Sequence, residues 1–169
     1  MRYDSNPKSN PKSKPQSIDI SMRRLVLISA FRLSMVWDLL TTFLGSLIIL
    51  GSAGFIALGL SLVGTLTVGA FNFSTKSIWE RRRVKRVEVA LLQLTWIFAI
   101  AFDFWTSLTC NTTYIALRQF NLGQSEPLSQ LFAQLSIGQI LIVSFVTTLT
   151  TISPMMVGYI RDRDLDFLT

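Results

Sequence analysis

The sequence contains no histidine and only one cysteine, Cys110. Without histidine, the chain cannot form Ser–His or Cys–His nucleophile pairs, histidine general bases or histidine-bearing zinc sites. A single cysteine excludes an internal disulfide and a thiolate cluster. We therefore expect a protein that is not an enzyme and that holds no metal or other cofactor.

Charged residues are also scarce. They make up 15% of the 169 residues, whereas soluble domains carry roughly a quarter. Lysine and arginine number 16 against 10 acidic residues, which gives a net charge of +6. Half of the chain is apolar, and almost none of the charge lies inside the long apolar runs. The composition predicts a small polytopic membrane protein that is embedded in a lipid bilayer.

The apolar runs predict an all-α membrane protein, a bundle of four transmembrane helices. Residues 25–71 are almost continuously apolar, which is too long for one span of roughly 20 residues but suits two. Because proline disfavours continuation of a helix, the last span is expected to end near Pro154. The four predicted helices cover residues 24–49, 53–72, 89–111 and 130–152.

Polar segments divide the rest of the chain. Residues 1–17 combine serine, asparagine, proline and lysine, a composition typical of a disordered basic tail. The remaining predicted segments are a first hairpin at 18–88 with a basic loop at 74–88, a second hairpin at 89–160 with a polar outer loop at 112–129, and a charged tail at 161–169.

The distribution of basic residues predicts the orientation of the bundle. Six basic residues precede the first span, six lie between the second and third spans and two follow the fourth, whereas only Arg118 lies between the third and fourth. By the positive-inside rule, both termini and the basic loop are expected on the cytoplasmic side. The short loops and the lack of a targeting peptide favour a bacterial-type cytoplasmic membrane.

Two stretches of the chain resemble each other. Residues 37–42 and 102–107 both read as an aromatic residue, an aspartate, two bulky apolar residues and two hydroxyl residues, at an offset of 65. The ends of the second and fourth helices also align, with residues 74–79 on 153–158 and Gly59 on Gly138. This pattern predicts a tandem duplication of a two-helix hairpin. Its halves would be parallel and related by a pseudo-two-fold axis along the membrane normal.

Each copy of the motif places its aspartate and hydroxyls on one helix face. An aspartate inside a span costs on the order of 2.5–3.5 kcal/mol on insertion scales, so it is expected to face the bundle interior. Three interpretations stay open: hydrogen-bonded helix packing, a proton or small-cation site, or an interfacial Asp38 if the first span begins near Leu33. The candidate ion or packing residues are Asp38, Thr41, Thr42, Asp103, Thr106 and Ser107.

The second predicted helix carries a stripe of small residues with a period of four. Such a stripe lets another helix approach closely, either within the monomer or between protomers of an oligomer. The residues of this helix-packing or oligomer face are Ala53, Ala57, Ser61, Thr65 and Gly69.

A basic cluster lies between the second and third predicted spans. It is a candidate contact for anionic lipid headgroups or for an acidic partner. Nucleic-acid binding is not expected, because the short loop lacks the aromatic support that such binding uses. The cluster consists of Arg81, Arg82, Arg83, Lys85 and Arg86.

These features favour a non-enzymatic function. The chain has no Walker motif, no HExxH sequence and no potassium-channel filter sequence. The leading expectation is an oligomeric, channel-like or ion-coupling membrane component, a class that includes permeabilising effectors gated by a cytoplasmic partner. The alternative is a non-catalytic accessory or scaffolding subunit of a larger membrane complex. A membrane enzyme would have only Asp38 and Asp103 as an acid–base pair.

Overall fold

The computed structural model describes residues 16–80, 86–120, 122 and 126–166. Throughout this part of the chain the regular structure is helical, and it contains no strand. The helices, in chain order, are α1 (Gln16–Leu50), α2 (Phe55–Phe73), α3 (Thr75–Trp79), α4 (Arg86–Leu117), α5 (Leu128–Ala133) and α6 (Ile137–Asp166).

Four of these helices contain segments that are long and apolar enough to cross a membrane. The all-helical fold class and the number of candidate spans predicted from the sequence are therefore confirmed. The segments are Ile28–Leu50 in α1, Phe55–Phe73 in α2, Val87–Leu117 in α4 and Ile137–Val157 in α6.

The four long helices pack side by side. Gly69 of α2 lies beside Leu39 of α1, and a tight turn joins these two helices. In this turn Gly51 has a φ of 59°, and its N–H donates a 3.0 Å hydrogen bond to the carbonyl of Ile48. Glycine adopts this left-handed conformation without the steric penalty of other residues, so α1 ends here.

The turn after the second span is held against α4 by aromatic residues. The indole N–H of Trp96 donates a 3.0 Å hydrogen bond to the hydroxyl of Thr75. The rings of Trp79 and Trp96 meet edge to face, with centroids 5.5 Å apart. These contacts tie the short helix α3 to the first part of α4.

The last span begins later than the sequence predicted. A helix was expected from residue 130, but α5 ends at Ala133 and α6 begins only at Ile137. Ser136 and Gln139 form a capping box. The Ser136 N–H donates to the Gln139 side-chain oxygen at 2.8 Å, and the Gln139 N–H donates to the Ser136 hydroxyl at 3.3 Å. This reciprocal cap satisfies backbone donors at the start of α6 and fixes it there.

The last span also ends later than predicted, because α6 continues through Pro154. Proline removes one backbone donor, so the carbonyl of Thr150, four residues earlier, loses its usual helical partner, and the hydroxyl bonds nearby go to other carbonyls. Ser153 donates a 2.7 Å hydrogen bond to the carbonyl of Leu149, and Thr150 donates at 3.0 Å to that of Thr147. The Pro154 ring is itself fully buried.

Two other helices extend past their predicted ends. The first helix begins at Gln16, within the predicted tail, and α4 covers 86–117 rather than 89–111. Each residue added to an existing helix gains one backbone hydrogen bond, so helices propagate beyond their most apolar segments. Residues 161–166, predicted as a tail, continue α6. The predicted tails at 1–15 and 167–169 lie outside the described residues.

The outside of the bundle is apolar and much of its inside is polar. Large apolar side chains point outwards, among them Phe55, Ile137 and Leu33. Buried positions are largely occupied by hydroxyl, carboxyl and amide side chains from all four long helices. This inversion matches a protein whose surroundings are hydrocarbon and whose polar groups have to find partners inside.

Candidate functional site

Two carboxyl groups meet inside the bundle. Asp38 of α1 and Asp103 of α4 are both 0% exposed, and their side chains are adjacent. They can approach because α1 and α4 pack closely: a Cβ atom added to Gly45 would lie 1.9 Å from the carbonyl oxygen of Thr106. The two aspartates of the repeated motif therefore come from different spans to one place.

Asp103 is hydrogen-bonded by two other helices. The Thr42 hydroxyl of α1 donates to one carboxyl oxygen, and the Asn72 side-chain amide of α2 donates to the other at 2.9 Å. Both donors are themselves fully buried. Through these two hydrogen bonds, Asp103 joins α4 to α1 and to α2.

Asp38 has no such set of donors. Its carboxyl is adjacent to the Asp103 carboxyl and to the Thr151 hydroxyl of α6. Nevertheless, neither of its carboxyl oxygens accepts a hydrogen bond of acceptable geometry from any residue that the structure describes. A buried carboxyl without partners is costly. If both carboxyls were ionised, the two negative charges would repel each other at high energetic cost unless a proton or a cation bound between them.

The predicted hydroxyl residues lie around the acids but differ in what they bind. Thr41 and Ser107 share a 2.9 Å hydrogen bond between α1 and α4, and Thr42 lies 3.2 Å from the same Ser107 oxygen. The Thr106 hydroxyl instead donates to the carbonyl of Asp103 in its own helix, at 3.0 Å. Thr41 makes the equivalent 3.0 Å bond to the carbonyl of Asp38.

Sequence reasoning missed Asn72 and Thr151 as site residues. Both are buried, at 1% and 2% exposed, and each is adjacent to one of the acids. A signal was present, because the offset of 79 that aligns residues 74–79 with 153–158 also places Asn72 on Thr151. A further buried pair joins α4 to α6, where the Asn111 amide donates a 2.9 Å hydrogen bond to Thr147.

The small-residue stripe of α2 faces its own bundle. Ala57, Ser61, Thr65 and Gly69 are buried, and a Cβ atom at Gly69 would lie 3.1 Å from a methyl carbon of Leu39. These four residues therefore pack inside the monomer. The fifth, Ala53, is exposed and precedes α2.

The basic cluster cannot be placed beside the site. Arg81, Arg82, Arg83 and Lys85 lie outside the described residues, and Arg86 is the first residue of α4. Among the residues that the structure does place, no group of three or more acidic, cysteine or histidine side chains could hold a metal ion.

Comparison of this chain with protein-family models, curated proteins and solved structures finds no match. The function therefore has to follow from the chemistry of the buried polar site. In that site, two carboxyls from two spans are adjacent, and among the described residues only Asp103 accepts hydrogen bonds of good geometry.

Proposed function

We propose that the protein is a non-enzymatic, integral membrane component that conducts or couples a small ion, and that Asp38 and Asp103 form its ion-binding element. One observation carries the proposal: the carboxyls are adjacent and fully buried, yet within the described part of the chain only Asp103 accepts hydrogen bonds of good geometry. A buried carboxyl without partners is far costlier than the unpartnered hydroxyls elsewhere in the bundle, such as those of Thr65 and Thr112. The unsatisfied Asp38 is typical of a site that exchanges a proton or a cation.

The chemistry of the pair suits such an exchange. A proton on Asp38 can be donated to Asp103, and a cation can replace it, since carboxylate and hydroxyl oxygens bind hard cations. Thr41, Thr42 and Ser107 add hydroxyl oxygens beside the pair. Ionisable residues inside membrane spans usually mark ion or proton pathways.

We also propose that the two hairpins are duplicated copies. Asn72 of the first hairpin donates to Asp103 of the second, and Thr151 of the second is adjacent to Asp38 of the first. Each hairpin thus supplies a polar side chain to the aspartate of the other hairpin, as a pseudo-two-fold axis would require. This relationship supports the alignment of the second and fourth helices at an offset of 79.

The orientation and the partners are part of the same proposal. Fourteen of the 16 basic residues lie in the segments assigned to one side, which supports cytoplasmic termini in a bacterial-type cytoplasmic membrane.

We propose a homo-oligomer, or a complex with other membrane proteins or a gating cytoplasmic partner. Because the small residues of α2 face inwards, protomers would meet on its outer side, where Gly59 has open space. The basic cluster would contact anionic headgroups.

A second function is favoured by the close packing of the polar residues. The Thr41–Ser107 and Asn111–Thr147 hydrogen bonds cross between helices, as expected of polar side chains that stabilise helix association in membranes. In an accessory or scaffolding subunit, these contacts would hold the bundle together. The basic cluster would then dock the partner.

Ion flux from proteoliposomes separates the two functions. The wild type is compared with the Asp38→Asn, Asp103→Asn double variant, because amides keep much of the hydrogen bonding but cannot ionise. Thr148→Val is the matched control, since this exposed hydroxyl bonds only to the Ser144 carbonyl of its own helix. We expect flux in the wild type and control, and its loss in a double variant of unchanged oligomeric size.

Unchanged flux in a folded double variant would contradict the assignment of the acid pair. A folded wild type that passes neither protons nor sodium, potassium or chloride ions would instead support the accessory-subunit function.

A further inference from the structure

A cavity of about 400 Å³ lies between α1, α4 and α6, and neither acid of the pair lines it. Its walls include Trp37 of α1, Tyr114 of α4 and Val146 of α6, and we call it the Trp37 cavity. Its volume falls within the range of small-ligand sites, about 300–1,000 Å³. Apart from the Asn111 amide, which already donates to Thr147, the lining side chains are apolar or aromatic. The cavity therefore suits an apolar ligand.

A left-handed turn at the end of α4 builds one wall of the Trp37 cavity. Arg118 has a φ of 54°, and its N–H donates a 2.8 Å hydrogen bond to the carbonyl of Tyr114. After this turn the Phe120 ring, which also lines the cavity, stacks on Tyr114 with centroids 4.9 Å apart. A residue other than glycine rarely adopts a positive φ. Strained residues of this kind cluster at ligand sites.

The Trp37 cavity lies among residues that would contact lipid. All of its lining residues except Phe120 belong to the four candidate spans. Trp37, Tyr114 and Ile142 are nevertheless 45%, 48% and 65% exposed. Inside a bilayer these exposed side chains are surrounded by hydrocarbon, so the medium itself supplies an apolar chain.

At one end of the Trp37 cavity the chain becomes polar. Phe120 lies three residues beyond Leu117, the last residue of its candidate span, and Arg118 is exposed. Arg118 is also the one basic residue between the third and fourth predicted spans. The acidic Glu126 of the same segment lines a separate cavity, between α1 and α4. Basic residues at the ends of spans bind anionic lipid headgroups, and arginine is well suited to bind phosphate.

We propose that the Trp37 cavity binds one anionic phospholipid, with an acyl chain against Trp37 and Val146 and the phosphate at the Arg118 guanidinium. A zwitterionic headgroup is less favoured, because its ammonium group would be repelled by the guanidinium. A helix of a second copy is about 10–12 Å across with its side chains, which is too thick for a cavity of this volume. An acyl chain is a single file of methylene groups and can enter.

The test measures how tightly the purified full-length protein binds phosphatidylglycerol and phosphatidylcholine, by native mass spectrometry from detergent micelles. Val146→Phe fills the cavity. Leu149→Phe is its matched control, because Leu149 is exposed on the same helix and does not line the cavity. Arg118→Gln removes the charge at the cavity, and Arg32→Gln, at an exposed residue of α1, is the charge control.

We expect the wild type and both controls to bind one phosphatidylglycerol more tightly than phosphatidylcholine. Val146→Phe should weaken the binding of both lipids by about tenfold or more, because the added ring occupies the place of the acyl chain. Arg118→Gln should weaken the binding of phosphatidylglycerol by about fivefold and leave phosphatidylcholine unchanged. That factor is equivalent to the ~1 kcal/mol that a basic residue contributes near anionic lipid.

Equal affinities in Val146→Phe and Leu149→Phe, with equal Tm values, would overturn the lipid site. Equal affinities of the wild type for the two lipids would overturn the anionic headgroup. A lipid-free dimer of the wild type that Val146→Phe dissociates would assign the cavity to a second copy instead.

A fluorescence measurement tests the same site if Val146→Phe does not fold. Phosphatidylglycerol with brominated chains should quench Trp37, so the quenched fraction of the tryptophan emission should be smaller in Trp37→Phe than in the wild type. Equal quenched fractions would contradict a chain beside Trp37. None of these measurements depends on ion flux, so the loss of this site leaves the proposed function standing.

Discussion

The carbonyl oxygen of Thr106 lies so close to Gly45 that a methyl group added at residue 45 would be 1.9 Å from it. The Cα atom of Gly45 and the carbonyl oxygen of Thr106 both belong to helix backbones, so a clash at residue 45 could be relieved only by moving α1 or α4 as a whole. The same two helices carry Asp38 and Asp103. The lack of a side chain at Gly45 therefore permits the close approach of the two helices that carry the carboxyls.

Replacing Gly45 with alanine should destabilise the bundle. Overpacking of this kind costs about 1–3 kcal/mol, and we expect a lower Tm in detergent, followed by tryptophan fluorescence. Gly138→Ala is the control, because an added Cβ at residue 138 meets no atom within 4 Å. Since alanine favours a helix over glycine by up to about 1 kcal/mol, the control should keep or raise Tm. Equal Tm values for both variants would contradict the close contact.

The two aspartates should differ in their contribution to stability. Asp103→Ala leaves the donors of Thr42 and Asn72 unpaired in the core, whereas Asp38→Ala removes a carboxyl that accepts no hydrogen bond from the described residues. We expect Asp103→Ala to lower the free energy of unfolding by about 1–3 kcal/mol more than Asp38→Ala, the usual cost of unpaired buried groups. Chemical unfolding in mixed micelles measures both values. A larger loss for Asp38→Ala would contradict the different hydrogen bonding of the two acids.

Cysteine labelling should report the orientation of the bundle. The native Cys110 is 1% exposed and should not react with a membrane-impermeant maleimide, so no cysteine-free background is needed. Ser77 and Gln119 are both exposed. Ser77 lies in α3, just before α4, and Gln119 lies just after the other end of α4. In intact cells we expect labelling of Gln119→Cys but not of Ser77→Cys, and the reverse in sealed inside-out vesicles. The opposite pattern would place the termini outside.

The sequence alone was sufficient to predict the class of protein and the position of its acids. Apolar segments of membrane-spanning length and scarce charge are properties of composition and order, so they predicted four spans before any packing was known. The repeated motif placed Asp38 and Asp103 at equivalent points of two helices. Because hydrocarbon penalises an exposed carboxyl, the sequence also predicted that both face inwards.

Only the tertiary structure decided which groups meet. Whether Asn72 or Thr151 reaches an acid depends on the rotation and separation of helices far apart in sequence, and these follow from contacts such as Gly45 with Thr106. The continuation of α6 past the buried Pro154 likewise depended on packing that a local pattern does not encode. Spans and their polar faces are local consequences of the amino-acid order. The difference in hydrogen bonding between the two buried carboxyls arises only when four helices close around them.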